Sequence, residues 1–130
     1  MGKAIHILVV EDQPVQCVLL QRMLSHNRDR WEIDMALSAR DALDMLRGDR
    51  YDLLVTDLSL PGVDGITLSR AARAQDREIS IIWMTACGCY RFGQEAEQLG
   101  VHACLDKPAR MDQIRATVCE ALKERREGRA

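Results

Sequence analysis

The sequence predicts an α/β protein built as a doubly wound parallel sheet of five strands and five helices. Two observations carry that reading. Short runs rich in Val, Ile and Leu alternate along the chain with longer segments whose apolar residues recur at helical spacing, and that alternation belongs to a parallel sheet covered by helices. Several of the apolar runs also stop at a polar residue next to a turn or a helix opening, so right-handed crossovers would gather those residues at one edge of the sheet.

Taken in order, residues 4 to 10 are apolar almost throughout, as in a central strand buried on both faces, and end in Glu11-Asp12. Pro14 stands at what reads as the first position of a helix. Val15 to Leu24 then carry a broad apolar stripe of Cys17, Leu20 and Leu24, with Leu19 and Met23 beside it, and Asn27 closes the helix. Trp31 to Leu37 alternates well enough for a second strand. Ser38 caps a helix through Ala42, Leu43 and Leu46 that ends at Gly48. A third strand runs from Asp52 to Asp57 and is cut off by Pro61-Gly62, after which Asp64-Gly65 opens a helix over Ile66 to Arg73. Ile79 to Met84 is a fourth strand, running into Thr85-Ala86-Cys87-Gly88. A mostly polar helix follows from Arg91 to Leu99, ending at Gly100. Val101 to Leu105 closes the set of strands and leads into Asp106-Lys107-Pro108. Residues 112 to 125 form the last helix, with Ile114, Val118 and Leu122 inward. A domain over residues 1 to 123 is expected, followed by a charged tail over 124 to 130.

At 130 residues, 47% hydrophobic and 29% charged, the chain fits one domain with a real core and no room for a second. The formal charge is -2 and basic residues are scattered among acids, which argues against nucleic-acid or membrane binding. The amino-terminal apolar run meets Glu11-Asp12 without a small-residue cleavage site, so a signal peptide is not expected and a cytoplasmic protein is. The five cysteines, Cys17, Cys87, Cys89, Cys104 and Cys119, are odd in number and lack framework spacing. Reduced thiols are therefore the expectation, and Cys87-Gly88-Cys89 lacks the two-residue gap of zinc or redox pairs.

Four strands end in polar residues: Glu11-Asp12, Asp57, Thr85 and Lys107. The topology brings three carboxylates, a hydroxyl and an ammonium around one shallow cleft. Acids held that close repel one another, and the remedy their chemistry suggests is a hard dication with oxygen ligands, Mg²⁺ above all. With Lys107 as a point charge and the Thr85 hydroxyl as a hydrogen-bond partner, the set suits charge neutralisation and positioning for phosphoryl transfer.

The residues Glu11-Asp12, Asp57-Leu58-Ser59-Leu60-Pro61-Gly62-Val63-Asp64-Gly65, Thr85-Ala86 and Lys107-Pro108, in that order and spacing over about residues 4 to 123, resemble the receiver domain of two-component response regulators. The resemblance implies a CheY-like, flavodoxin-like sheet of order 2-1-3-4-5 and a phosphoacceptor at Asp57. It implies Mg²⁺ (or Mn²⁺) bound by Asp12, Asp57 and the Ser59 backbone carbonyl, with Glu11 acting through water. Thr85 and Lys107 would bind and report the phosphoryl group, and the Lys107-Pro108 bond would be cis. The phosphodonor would be a histidine kinase or a histidine phosphotransfer protein. The output would be an unknown protein meeting the face of helix four, strand five and helix five, and the chain would be a switch, not an enzyme.

Two departures stand out. Members of the family usually carry Tyr or Phe three residues before Lys-Pro as an aromatic switch; here that position is Cys104, and Ala109 replaces the aromatic residue often found after Lys-Pro. Tyr90 and Phe92 stand instead in the loop before helix four, and Gly88 and Gly93 lend that loop freedom. Switching is therefore expected to run through Thr85 to Gly93 and not through strand five, with Trp83 as a local reporter. Rival readings are weaker on the residues. A haloacid-dehalogenase-type phosphatase needs a second Asp where Ser59 stands, and an FMN carrier needs a phosphate loop where Glu11-Asp12-Gln13-Pro14 would repel phosphate. A docking module that is never phosphorylated is the third.

Overall fold

The computed structural model describes residues 4–25, 30–60 and 62–129, the side chains only as far as Arg125. Asn27 and Pro61, assigned above to a helix end and a turn, lie outside the described residues. Five strands, β1 (Ile5–Val10), β2 (Trp31–Ala36), β3 (Leu53–Asp57), β4 (Ser80–Thr85) and β5 (Ala103–Asp106), pair in parallel in the order 2-1-3-4-5. The helices between and after them are α1 (Pro14–Ser25), α2 (Ala39–Gly48), α3 (Gly65–Gln75), α4 (Gly93–Leu99) and α5 (Met111–Arg129). No helix among the described residues is long and apolar enough to cross a membrane.

The sheet divides two apolar layers because neighbouring residues of a strand point to opposite faces. Ile7, Val9, Leu53, Val55, Ile82 and Met84 pack with Leu20 and Leu24 of α1 and Ile114 and Val118 of α5. Leu8, Val10, Leu54, Ile81 and Trp83 pack with Leu46 of α2 and Leu68 of α3. All five residues of β3 are buried, as a central strand covered on both faces requires. Local chemistry sets the boundaries. The Ser38 side chain accepts the Asp41 N–H at the start of α2, and the Asp64 carboxylate accepts the Thr67 N–H at the start of α3.

Several boundaries differ from the sequence reading by a residue or two, α4 among them, which begins at Gly93 and not Arg91; two differences have a clear physical cause or a wider extent. β5 starts at Ala103 and not Val101, because Gly100 takes a left-handed conformation (φ 63°) and the Val101 N–H turns back to the Ala96 carbonyl, closing α4. α5 runs to Arg129, so the expected tail from residue 124 continues the helix. Arg125 lies within that extension and anchors it: Nη1 meets Asp52 Oδ1 at 3.0 Å and Nε donates to the Glu78 carbonyl.

The cysteine expectation is overturned. Cys89 and Cys104 form a disulfide, while Cys17, Cys87 and Cys119 are free. Sequence spacing hides the pair. After Thr85 the chain makes a short 3₁₀ turn over Cys89–Phe92, which lays Cys89 beside β5 with the two Cα atoms 5.8 Å apart, inside the range a bridge spans.

Candidate functional site

The carboxyl ends of β1, β3, β4 and β5 form the site. Glu11 and Asp12 follow β1 directly, Asp57 is the last residue of β3, Thr85 the last of β4, and Lys107 comes just after β5. Pairing carries on past the strand ends, since the Leu58 N–H donates to the Met84 carbonyl and the Lys107 N–H to the Thr85 carbonyl at 2.8 Å. The segments bearing the site are thus extensions of the sheet and inherit its rigidity.

Glu11 and Asp57 are nearly inaccessible, at 1% and 5% exposure, an unusual place for two neighbouring acids. Lys107 makes it tolerable. Its Nζ lies 2.6 Å from Asp57 Oδ2 and 3.0 Å from Glu11 Oε2. Burial opposes the Lys107 ammonium, but hydrogen bonds and charge from both carboxylates outweigh it and raise its pKa. Burial raises the Glu11 pKa, against the opposing pull of Lys107. Asp57 Oδ1 accepts the Ser59 N–H at 3.0 Å, so the turn after β3 holds the carboxylate by its other oxygen.

α3 fixes the height of that turn. The Gly65 N–H donates to the Leu58 carbonyl, and a Cβ on Gly65 would fall on the Asp57 carbonyl oxygen and 2.9 Å from Leu58 Cα. Only a residue without a side chain lets α3 begin this close to β3. The Gly65 carbonyl accepts the Ser69 hydroxyl at 2.7 Å, and Ser69 Oγ accepts the indole N–H of the fully buried Trp83 at 2.8 Å, joining α3 to β4.

Glu11, Asp12 and Asp57 each offer a carboxylate oxygen within 4.8 Å of the others, and Glu11 Oε1 is buried with no hydrogen-bond partner among the described groups. An all-oxygen donor set with one unsatisfied buried oxygen fits a hard divalent cation such as Mg²⁺. Thr85 is fully buried, and its Oγ1 accepts the Cys87 N–H at 3.0 Å, so the hydroxyl is engaged with its own loop. Cys104 stands apart from the acids, bonded to Cys89. The Lys107–Pro108 peptide is cis. Beside the acids, a cleft of about 300 Å³ is lined by Glu11, Gln16, Met84, Lys107, Pro108 and Met111 among others.

Sequence reasoning placed the strand-end residues but missed three that shape their surroundings. Cys89 had a signal in retrospect, a cysteine just after β4 facing a cysteine where the family usually has an aromatic ring. Gly65 was read only as a helix opening. Arg73 left no signal: its guanidinium donates to the carbonyls of Arg77, Ile79, Leu99 and Gly100, clamping the end of α3 to the end of α4.

Comparison with known proteins agrees with this geometry. The family model of the response regulator receiver domain matches residues 7–119. Sporulation initiation phosphotransferase F of Bacillus subtilis (strain 168) is 34% identical over 116 residues, covering 89% of this chain and 92% of that protein. Sensor protein EvgS of Escherichia coli O157:H7 is 32% identical over 115 residues, 88% of this chain but 9% of the sensor, so the chain spans a small part of that relative. Among solved structures, a CheY-like response regulator receiver domain protein from Methanospirillum hungatei JF-1 superposes with a TM-score of 0.90 over 97% of this chain and 99% of its own, at 20% identity, a likeness of fold. The chain belongs to the response regulator receiver domains, the phosphoacceptor modules of two-component signalling.

Proposed function

We propose that Asp57 accepts the phosphoryl group, with a histidine kinase or a histidine phosphotransfer protein as donor. One observation carries the assignment. Of the three clustered acids, Asp57 is the one whose carboxylate is gripped from two sides, by the Lys107 ammonium at 2.6 Å and the Ser59 N–H at 3.0 Å. A carboxylate oriented this way is prepared for in-line attack on phosphorus. An Asp57 oxygen forms the new P–O bond as the P–N bond to the donor imidazole breaks, the leaving nitrogen keeping the electron pair and taking up a proton. Lys107 neutralises charge on the phosphoryl oxygens, and Thr85 can turn its hydroxyl to one of them. Glu11, Asp12, Asp57 and the Ser59 carbonyl would hold Mg²⁺, which supplies the positive charge that lets a dianion approach three acids.

We place the approach of a donor at α1, whose Gln16 and Leu20 line the cleft and whose Val15, Val18 and Leu19 are exposed at 71%, 50% and 44%. Exposed apolar side chains on a helix that borders the cleft suit a partner helix. The chain acts as a switch that assists its own phosphorylation and dephosphorylation in the cytoplasm, and its output is by contact through the α4, β5 and α5 face. Incubation with acetyl phosphate and Mg²⁺ followed by intact mass tests the core of this reading. The wild type should gain one phosphoryl group and Asp57→Asn none; an Asp57→Asn chain phosphorylated at the wild-type rate refutes it.

A further inference from the structure

We propose that the Cys89–Cys104 bridge is a reversible redox lock on the loop that carries Thr85's response, so that the thiol state of this chain decides whether phosphorylation at Asp57 is read out. The inference rests on the phosphoacceptor reading given above and adds a second input to the same site.

The geometry starts from Thr85. Its hydroxyl oxygen accepts the Cys87 N–H, so rotating the side chain toward a group on Asp57 carries Oγ1 away from that donor unless the loop moves with it. The loop is held at both ends. At Thr85 it is fixed by the β4–β5 ladder, where Thr85 lies opposite Asp106 and its carbonyl takes the Lys107 N–H. At Cys89, four residues on, it is fixed by the covalent bond to Cys104 and by the Cys89 N–H donating to Asp106 Oδ1 at 2.8 Å. Only Ala86, Cys87 and Gly88 lie between the anchors. Gly88, with φ at 96°, is the one of these suited to a large change of backbone angle, and the Tyr90 ring lies against it. Both anchors end on β5, so the segment is a short loop staked to a rigid strand.

The bridge is placed for control. Cys104 lies opposite Trp83 in the β4–β5 register and packs on the same core layer as Phe92, so it stands at the joint between loop and sheet. Cys89 and Cys104 are each only partly buried, so a small thiol can reach the bridge. The chemistry is two-electron exchange with a dithiol. A thiolate of the reductant attacks one sulfur, the S–S bond breaks and releases the other as a thiolate that takes up a proton. The second thiol then resolves the mixed disulfide, leaving both cysteines as thiols and the reductant as a cyclic disulfide. A small-molecule disulfide reverses the process. In a reducing compartment a disulfide is transient and suited to sensing.

The test uses the full chain in two forms, one treated with glutathione disulfide and one with excess dithiothreitol. Alkylation and intact mass should count three free thiols in the first and five in the second, the difference being the bridged pair among five cysteines. Each form then receives Mg²⁺ and acetyl phosphate, with phosphoryl gain read by mass and loop response by amide spectra. The expected result is one phosphoryl group on both forms, amide shifts over residues 85 to 93 in the reduced form, and loss of those shifts in the oxidised form. Cys89→Ser should respond like the reduced protein without any reductant. Equal shifts in both forms, or five thiols after oxidant treatment, overturn the lock while leaving the phosphoacceptor reading in place. Absence of phosphoryl gain in both forms overturns the two together.

Discussion

Replacing Gly65 by Ala sets two effects of opposite sign against each other. Alanine is the better helix former, and in a helix interior the exchange gains about 1 kcal/mol, less at the first position, where Gly65 stands. Against this, the added Cβ overlaps the Asp57 carbonyl oxygen and comes within 2.9 Å of Leu58 Cα. Both are backbone atoms at the end of a wholly buried strand, so no side chain can rotate aside and α3 or the β3 end must move. Overpacking of this kind costs about 1–3 kcal/mol, and the upper part of that range applies where the obstacle is backbone. The net expectation is a loss of about 1–2 kcal/mol. At a urea slope of about 2 kcal/mol per M, the middle of the usual range, the midpoint falls by roughly 0.5–1 M. Equilibrium urea denaturation followed by far-ultraviolet circular dichroism measures this directly. Because the displaced atoms include the backbone of Asp57, a Mg²⁺ titration of the variant should show weaker binding as well. A midpoint equal to or above the wild type would falsify the claim that Gly65 is required for close approach and leave it as an ordinary helix start.

Other expectations follow from the same contacts. Asp12→Asn should weaken Mg²⁺ on the order of tenfold or more, read by calorimetric titration, because a charged oxygen ligand is removed from a site with few; unchanged affinity would show the ion is held elsewhere. Arg73→Ala should cost about 2 kcal/mol in urea denaturation, since the half-buried guanidinium serves four carbonyls at the meeting of α3 and α4, and a midpoint equal to wild type would reduce the clamp to a surface contact. Reduction of the Cys89–Cys104 bridge, which closes a loop with a sequence separation of 15, should lower stability by about 3 kcal/mol through the freed entropy of the unfolded chain. Identical unfolding curves for chains with five and three free thiols would show that the bridge contributes nothing to stability.

The fold was legible because its signals are local and repeated. β1 and β3 had to be apolar on both faces to lie at the centre of the sheet, and each strand that reaches the site ends in a residue whose chemistry has no use in a core. The cap at Ser38 was marked by its residue type, the cis Lys107–Pro108 peptide followed from the family resemblance, which proline permits, and Asp64 was read only as opening α3, whose cap it is. What stayed hidden depends on distances between segments remote in the chain. Nothing in the composition of Glu11 tells that it would be the most buried acid of the three, since burial comes from the neighbours that Lys107 and α1 bring. Cys89 and Cys104 meet because a 3₁₀ turn replaces the first turn expected of α4, and no spacing rule separates that turn from the helix after it. Arg73 is one arginine among many until the carbonyls of Leu99 and Gly100 arrive beside it.

The clamp at Arg73 also bears on how force would pass along the shortest helix. None of the seven residues of α4 is fully buried; Ala96 and Leu99 rest half-covered on the core. The helix therefore behaves less like a brick in a wall than like a strut. Its foot, at Leu99 and Gly100, is fastened by the Arg73 guanidinium, and the 3₁₀ turn leading into its head is fastened by a bond between two sulfurs. Release the head alone and the strut becomes a cantilever, free to swing at the end nearest Asp57 and still at the end farthest from it. Motion at the phosphorylation edge would then appear as a tilt of the α4 surface, graded along its length, with the opposite edge of the sheet undisturbed.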